Sequence, residues 1–175
     1  HKTKLSLLDA TGQIKSSEEI KTVIAELQEK YPTQIAVLNK DFRRLNEDAS
    51  ATPSVFAAVA ADCEIEFCLA STDPNGNATS GITRTITRQA SFFAGYNGVI
   101  YSDDGVKYSS SGGIDAWNTS KYLNIWVCDL NSLNGYSTFP GAPASSDGIV
   151  VDFTKFGDIG TTADSSFVKR TTTHE

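Results

Sequence analysis

Methionine is missing from all 175 residues, and histidine occurs only twice, as His1 and His174. A serine or cysteine nucleophile needs a nearby base, usually histidine, so this shortage argues against triad chemistry. The chain also lacks a long apolar run. Its longest, VFAAVAA from Val55 to Ala61, falls far short of the roughly 20 residues of a membrane-spanning helix. There is no excess of positive charge either. A net charge of −6 and a pI near 4.9 argue against nucleic acid, whose binding rests on Lys and Arg neutralising phosphates. Lys40, Arg43 and Arg44 alternate with Asp41, Glu47 and Asp48, which reads as a solvated helix face. The stretch SSSGG, Ser109 to Gly113, has no lysine after it to make a phosphate-binding loop. The three cysteines, Cys63, Cys68 and Cys128, match no metal-ligand spacing. Cys68 and Cys128 stand in strand-like apolar stretches and read as small buried core residues.

What is present describes one globular domain, residues 1–175. Hydrophobic residues make up 39% and charged residues 21%, too apolar a balance for disorder. A chain of this length buries about 70% of the surface that its unfolded form exposes. In SSEEIKTVIAELQEKYP, Ser16 and Glu19 form a capping-box pair, and Ile20, Val23, Ile24 and Leu27 recur at helical spacing. That helix is expected to end before Pro32. A second helical pattern follows, with Ile35, Leu38, Phe42 and Leu45 on one face. Pro53 to Ala60 reads as a short helical piece opened by Thr52-Pro53.

The period then changes. EIEFCLA, Glu64 to Ala70, alternates as a half-buried strand does, and so does ITRTITR, separated from it by the turn-rich STDPNGNATSG. VIYSDDGVKY reads as a hairpin with Asp104-Gly105 in its turn. YLNIWVCDL, Tyr122 to Leu130, reads as a strand buried on both faces, and IVVDF as one more strand. From Phe167 the pattern turns helical again. Helices followed by strands suggest an α/β sandwich with one sheet covered by a long helix.

The closing RTTTHE ends on His174-Glu175, the first two letters of H-E-x-x-H, which is a weak signal alone. Longer blocks accompany it. QIAVLNKDFRRLNED, IEFCLASTDPNGNATSGITRT, SSGGIDAWNTSKYLNIWVCDL, GYSTFPG with SDGIVVDF, and RTTTHE follow one another in order. Through them the chain, from Gln34 onward, resembles the pappalysin family of metzincin zinc endopeptidases, in its secreted bacterial branch. The resemblance implies an α/β metzincin-like upper subdomain: a twisted, mostly parallel sheet with an antiparallel edge strand, backed by a long helix, with the active-site helix starting at the C-terminus. It implies zinc as cofactor, His174 as the first zinc ligand and Glu175 as the general base toward the attacking water. It makes GYSTFP the edge strand at the upper rim of the cleft, with Gly135, Tyr136, Ser137, Thr138 and Phe139 binding an extended peptide or protein substrate. LNIWVCDL and IVVDF become inner strands, and AVLNKDFRRLN the helix across the back. Family members often bind calcium, and Asp73, Asp103 and Asp104 lie in loops where a cation could sit.

Two departures stand beside the resemblance. Residues 1–30 match poorly, and TKLSLLD, Thr3 to Asp9, is either the family's central strand or an unrelated segment. The second and third zinc histidines, the motif glycine, the lower half of the cleft and the methionine turn do not occur in these residues. The chain begins at His1 without a signal peptide, and a secreted mature protein is the expectation. It is read as cut within the zinc motif, the C-terminal half of the catalytic domain being its missing partner. Two other readings remain: a non-catalytic peptide-binding or inhibitory domain that uses the same edge strand, or a chain that binds zinc only after joining a separate C-terminal fragment. On the leading reading the 175-residue chain alone is inactive and exposes apolar surface, so self-association is expected. Light scattering from a clean, stable monomer would count against it.

Overall fold

In a computed structural model, residues 2–6, 17–92, 94–96, 100–102, 104–130, 133–159 and 168–175 are described. Their elements run β1 (Lys2–Ser6), α1 (Ser17–Phe42), α2 (Ser54–Ala57), β2 (Thr83–Thr87), β3 (Ala94–Tyr96), β4 (Ile100–Ser102), β5 (Ile125–Cys128), β6 (Gly135–Ser137), β7 (Ile149–Asp152) and α3 (Thr171–His174). Five strands form one sheet in the order β2-β1-β5-β7-β6. β1, β2, β5 and β7 are parallel, and β6 alone runs antiparallel, against β7 at the edge. The opening segment therefore does supply an internal strand, between β2 and β5.

β5 and the first three residues of β7 are apolar without interruption because both faces of the sheet are covered there. All four residues of β5 are buried. Ile125 and Val127 join Val151, Tyr31 of α1 and Phe156 on one face. Trp126 and Cys128 join Val150, Phe92, Val106 and Leu130 on the other. The second face is closed by the irregular segment 104–116, where the Trp126 indole N–H donates to the Ile114 carbonyl at 2.9 Å.

Several expectations are corrected. The helix does not end before Pro32. α1 runs unbroken for 26 residues with Pro32 inside it. An interior proline costs about 3 kcal/mol or more, yet the helix is docked on both sides of it. Lys30, Tyr31, Gln34 and Leu38 are all fully buried. The Lys30 ammonium donates to the Phe153 carbonyl at 3.3 Å, and the Gly157 N–H donates to Gln34 Oε1 at 2.8 Å. Gly157 has φ +90°, and a Cβ there would lie 2.8 Å from Lys30 Cβ, so only glycine permits this approach. The capping residue Ser16 lies outside the described residues.

The segment EIEFCLA is not a strand. It runs beside α1, where Asn39 does the work of a neighbouring strand: its amide donates to the Phe67 carbonyl at 3.0 Å and accepts from the Phe67 N–H at 2.6 Å. Phe67 meets Phe42 edge to face at 4.9 Å between centroids. Phe67 and Leu69 are half-buried while Ile65 stays exposed, and Cys63 and Cys68 are exposed while only Cys128 is buried. The hairpin also moves: Ala94–Tyr96 pairs with Ile100–Ser102, and Asp104 instead opens a 3-10 turn, Gly105–Lys107. α2 is shorter than expected, because Val55, Phe56 and Val59 stay exposed and no buried face extends it.

Replacing Asn39 by Ala leaves both Phe67 backbone groups without these partners. Urea unfolding of N39A is expected to show a loss of about 1–3 kcal/mol, and an unchanged midpoint would show that water replaces the amide at no cost.

Candidate active site

The last turn of the chain is held by ion pairs. Arg170 Nε lies 3.1 Å from Asp41 Oδ2 near the end of α1, and its Nη1 lies 2.8 Å from Asp48 Oδ2. Thr173 Oγ1 donates to the same Asp41 oxygen at 2.6 Å. Lys40, Arg43, Glu47 and Asp48 are exposed as expected of a solvated face, but the Asp41 side chain departs from it and is 4% exposed. A buried carboxylate is costly unless paired, and Arg170 and Thr173 provide that pairing. Burial acts to lower the Arg170 pKa, but the charges and hydrogen bonds of Asp41 and Asp48 together outweigh it and the guanidinium is held above its ordinary value. Thr171 and Thr172 bury the inner side of α3. His174 is left exposed and Glu175, whose N–H donates to the Thr171 carbonyl at 3.1 Å, is half-buried.

This docking brings α3 onto the sheet beside the edge strand. In β6, Gly135, Tyr136 and Ser137 pair with Val151, Val150 and Ile149. Cross-strand partners share a face, so Gly135 and Ser137 point to the α1 side and Tyr136 to the other. Gly135 is needed for the approach. A Cβ there would stand 2.9 Å from the Val150 carbonyl oxygen, 3.1 Å from Thr171 Cγ2 and 3.3 Å from Glu175 Cγ. Ser137 Oγ lies 3.4 Å from Glu175 Oε2, a long hydrogen bond from the edge strand to the carboxylate.

The five rim residues thus separate by environment. Gly135 and Ser137 face Glu175, while Tyr136 packs into the core of the opposite face. Thr138 Oγ1 accepts from the Gly148 N–H at 3.2 Å and shapes the turn between β6 and β7. Phe139 projects into solvent, 89% exposed.

A catalytic zinc takes three protein ligands and a water. An exposed imidazole at a helix end suits one of those places, and His174 is such a group. Among the described residues, however, no three His, Cys, Asp or Glu side chains gather into a metal-binding cluster. Two of the acidic residues considered for a cation are engaged otherwise. Asp73 accepts from the Asn75 and Asn77 N–H groups at 2.9 and 2.8 Å, and those bonds, led by the one from Asn77, hold its carboxyl below the usual range. Asp104 lies 3.2 Å from the buried Lys107 ammonium. Asp103 lies outside the described residues.

Sequence reasoning missed Asp41, Asp48, Arg170 and Thr173. One signal was present: Asp41 follows Gln34, Val37 and Leu38 on the buried stripe of α1, where a carboxylate requires a partner. A double-mutant cycle on D41A and R170A is expected to give a coupling of about 0.5–3 kcal/mol. A coupling within error of zero would show that packing alone docks α3.

No protein-family model matches the chain, nor does any curated protein. Solved structures do. A mirolysin structure in complex with a compound matches with a TM-score of 0.74 and 40% identity over 99% of this chain and 59% of that one. Mature mirolysin of Tannerella forsythia in complex with a cleaved peptide matches with a TM-score of 0.71 and 38% identity, over 100% of this chain and 62% of its own. A promirolysin point mutant from the same organism gives 0.72 and 39%, over 98% and 51%. The chain thus spans between half and two thirds of the length of these mirolysin structures, and the match takes in residues 1–30 as well. Mirolysin is a metzincin-type, pappalysin-like zinc metallopeptidase, and the chain is similar to it in sequence and has a zinc-metallopeptidase-type fold.

Proposed function

We propose that the chain supplies part of the active site of a secreted, zinc-dependent endopeptidase of the pappalysin type. The observation that carries this reading is the placement of Glu175, on the helix turn that carries His174, against the edge strand β6. An extended peptide adding to the outer edge of β6 would exchange main-chain hydrogen bonds with Gly135–Ser137 and run beside the Glu175 carboxylate. Glu175 takes a proton from the attacking water and returns it to the departing amine, as a general base and then acid. His174 is the metal ligand that these residues offer. When bound, zinc supplies Lewis acidity toward the scissile carbonyl. Phe139 and Thr138, at the end of the rim strand, lie where the substrate chain would continue. No helix among the described residues is long and apolar enough to cross a membrane.

A second reading rests on the edge strand itself: a non-catalytic domain that holds extended peptides on β6, which main-chain pairing allows without a metal. The two differ in what zinc and Glu175 do. The natural gene product carrying these residues is expected to cleave a quenched peptide in a chelator-sensitive way, and E175Q to lower kcat by about 10²–10⁴-fold. Peptide binding that ignores chelator and E175Q, with no cleavage at any zinc concentration, would replace the peptidase by the binding domain.

A further inference from the structure

Beneath the edge strand lies a charge that the proposed chemistry does not use. Lys107 is fully buried, on the face of the sheet opposite α1 and Glu175. Its ammonium donates to the Ser146 carbonyl at 2.7 Å and pairs with Asp104 Oδ1 at 3.2 Å. It also stands 5.1 Å from the ring centre of Tyr136 and 5.7 Å from that of Trp126. Two of these contacts reach the edge region and one reaches the strand at the middle of the sheet. Tyr136 is the middle residue of β6 and Trp126 lies on β5. Ser146 lies in the segment that returns from Phe139 to β7, two residues before Gly148, whose N–H donates to Thr138.

A buried ammonium is retained only where its donors are used, since an unpaired one is expelled or neutralised. Here burial pushes the Lys107 pKa below the ordinary lysine range, with Asp104 opposing the shift. β6 is three residues long and, among the described strands, pairs with β7 alone. So short a ladder leaves the placement of β6 sensitive to what lies under Tyr136, where a cation against the aromatic face is stabilising.

We propose that Lys107 is a positioning residue for peptide capture: it fixes Tyr136 and the 138–148 return, so that β6 meets an incoming peptide strand in register. The inference rests on the peptide-binding role of β6 proposed above. Loss of the Lys107 charge then weakens peptide association and leaves the proton transfer at Glu175 on the far face of the sheet intact. A merely structural lysine would change kcat and KM together, or neither.

The test uses the natural gene product and an extended peptide labelled for anisotropy, in an E175Q background where turnover cannot interfere. K107M is expected to weaken binding about tenfold. In the Glu175 protein, K107M should raise KM by a similar factor with kcat unchanged, and K107R should recover part of the loss. An unchanged Kd in a K107M protein that still unfolds cooperatively overturns the inference. If K107M does not fold, D104N loosens the same ammonium and should shift Kd in the same direction. An unaltered Kd in D104N overturns it equally. A parent E175Q protein that binds no peptide would instead refute the β6 reading, and the two failures are thereby distinct.

Discussion

The candidate site depends on one buried carboxylate. Asp41 closes the C-terminal end of α1 and accepts from both Arg170 and Thr173, which lie 129 and 132 residues further along the chain. Without that acceptor, α3 is a single turn with no buried face beyond Thr171 and Thr172. An isolated helix of that length is not stable in water. With it, the turn that ends in His174 and Glu175 is docked beside the edge strand, where the absent side chain of Gly135 leaves room for it.

The sheet makes that edge available. β5 and β7 are buried on both faces, by α1 with the 153–158 segment on one side and by the 104–116 segment on the other. Such a core is close-packed and resists displacement. β6 differs from the inner strands, being half-buried, antiparallel and, among the described strands, paired with β7 alone. Rigid strands behind an open one suit the recognition of extended peptides. The two faces of β6 then have separate duties. Ser137 and Gly135 attend to Glu175, and Tyr136 lies over the Lys107 ammonium.

Much of this fold was legible in the residues. The apolar run of β5 read as a strand covered on both faces, and the ordered blocks resembled the pappalysin family before any coordinates. Other features were not legible, each for a physical reason. Pro32 carries a local penalty, but burial of Tyr31, Gln34 and Leu38 on both sides of it outweighs the lost hydrogen bond. EIEFCLA alternates like a strand, yet a side-chain amide on α1 provides its partner, and period alone does not distinguish the two. Asp41 and Lys107 look like surface charges in a charge-rich sequence. Their partners, Arg170 and Ser146, are remote in the chain, and only folding shows that both are enclosed. His174 and Glu175 stood out through the motif that they begin, and their proximity to β6 needed the docking of α3.

The most direct measurement is a crystal structure of the natural gene product carrying these residues, grown with zinc and a slowly cleaved peptide and recorded at the zinc absorption edge. The account predicts a peptide strand hydrogen-bonded to Gly135–Ser137, an anomalous zinc peak at the His174 imidazole, and the Glu175 carboxylate facing the scissile bond. A peptide bound away from β6, or a zinc site that leaves His174 uncoordinated, would contradict it.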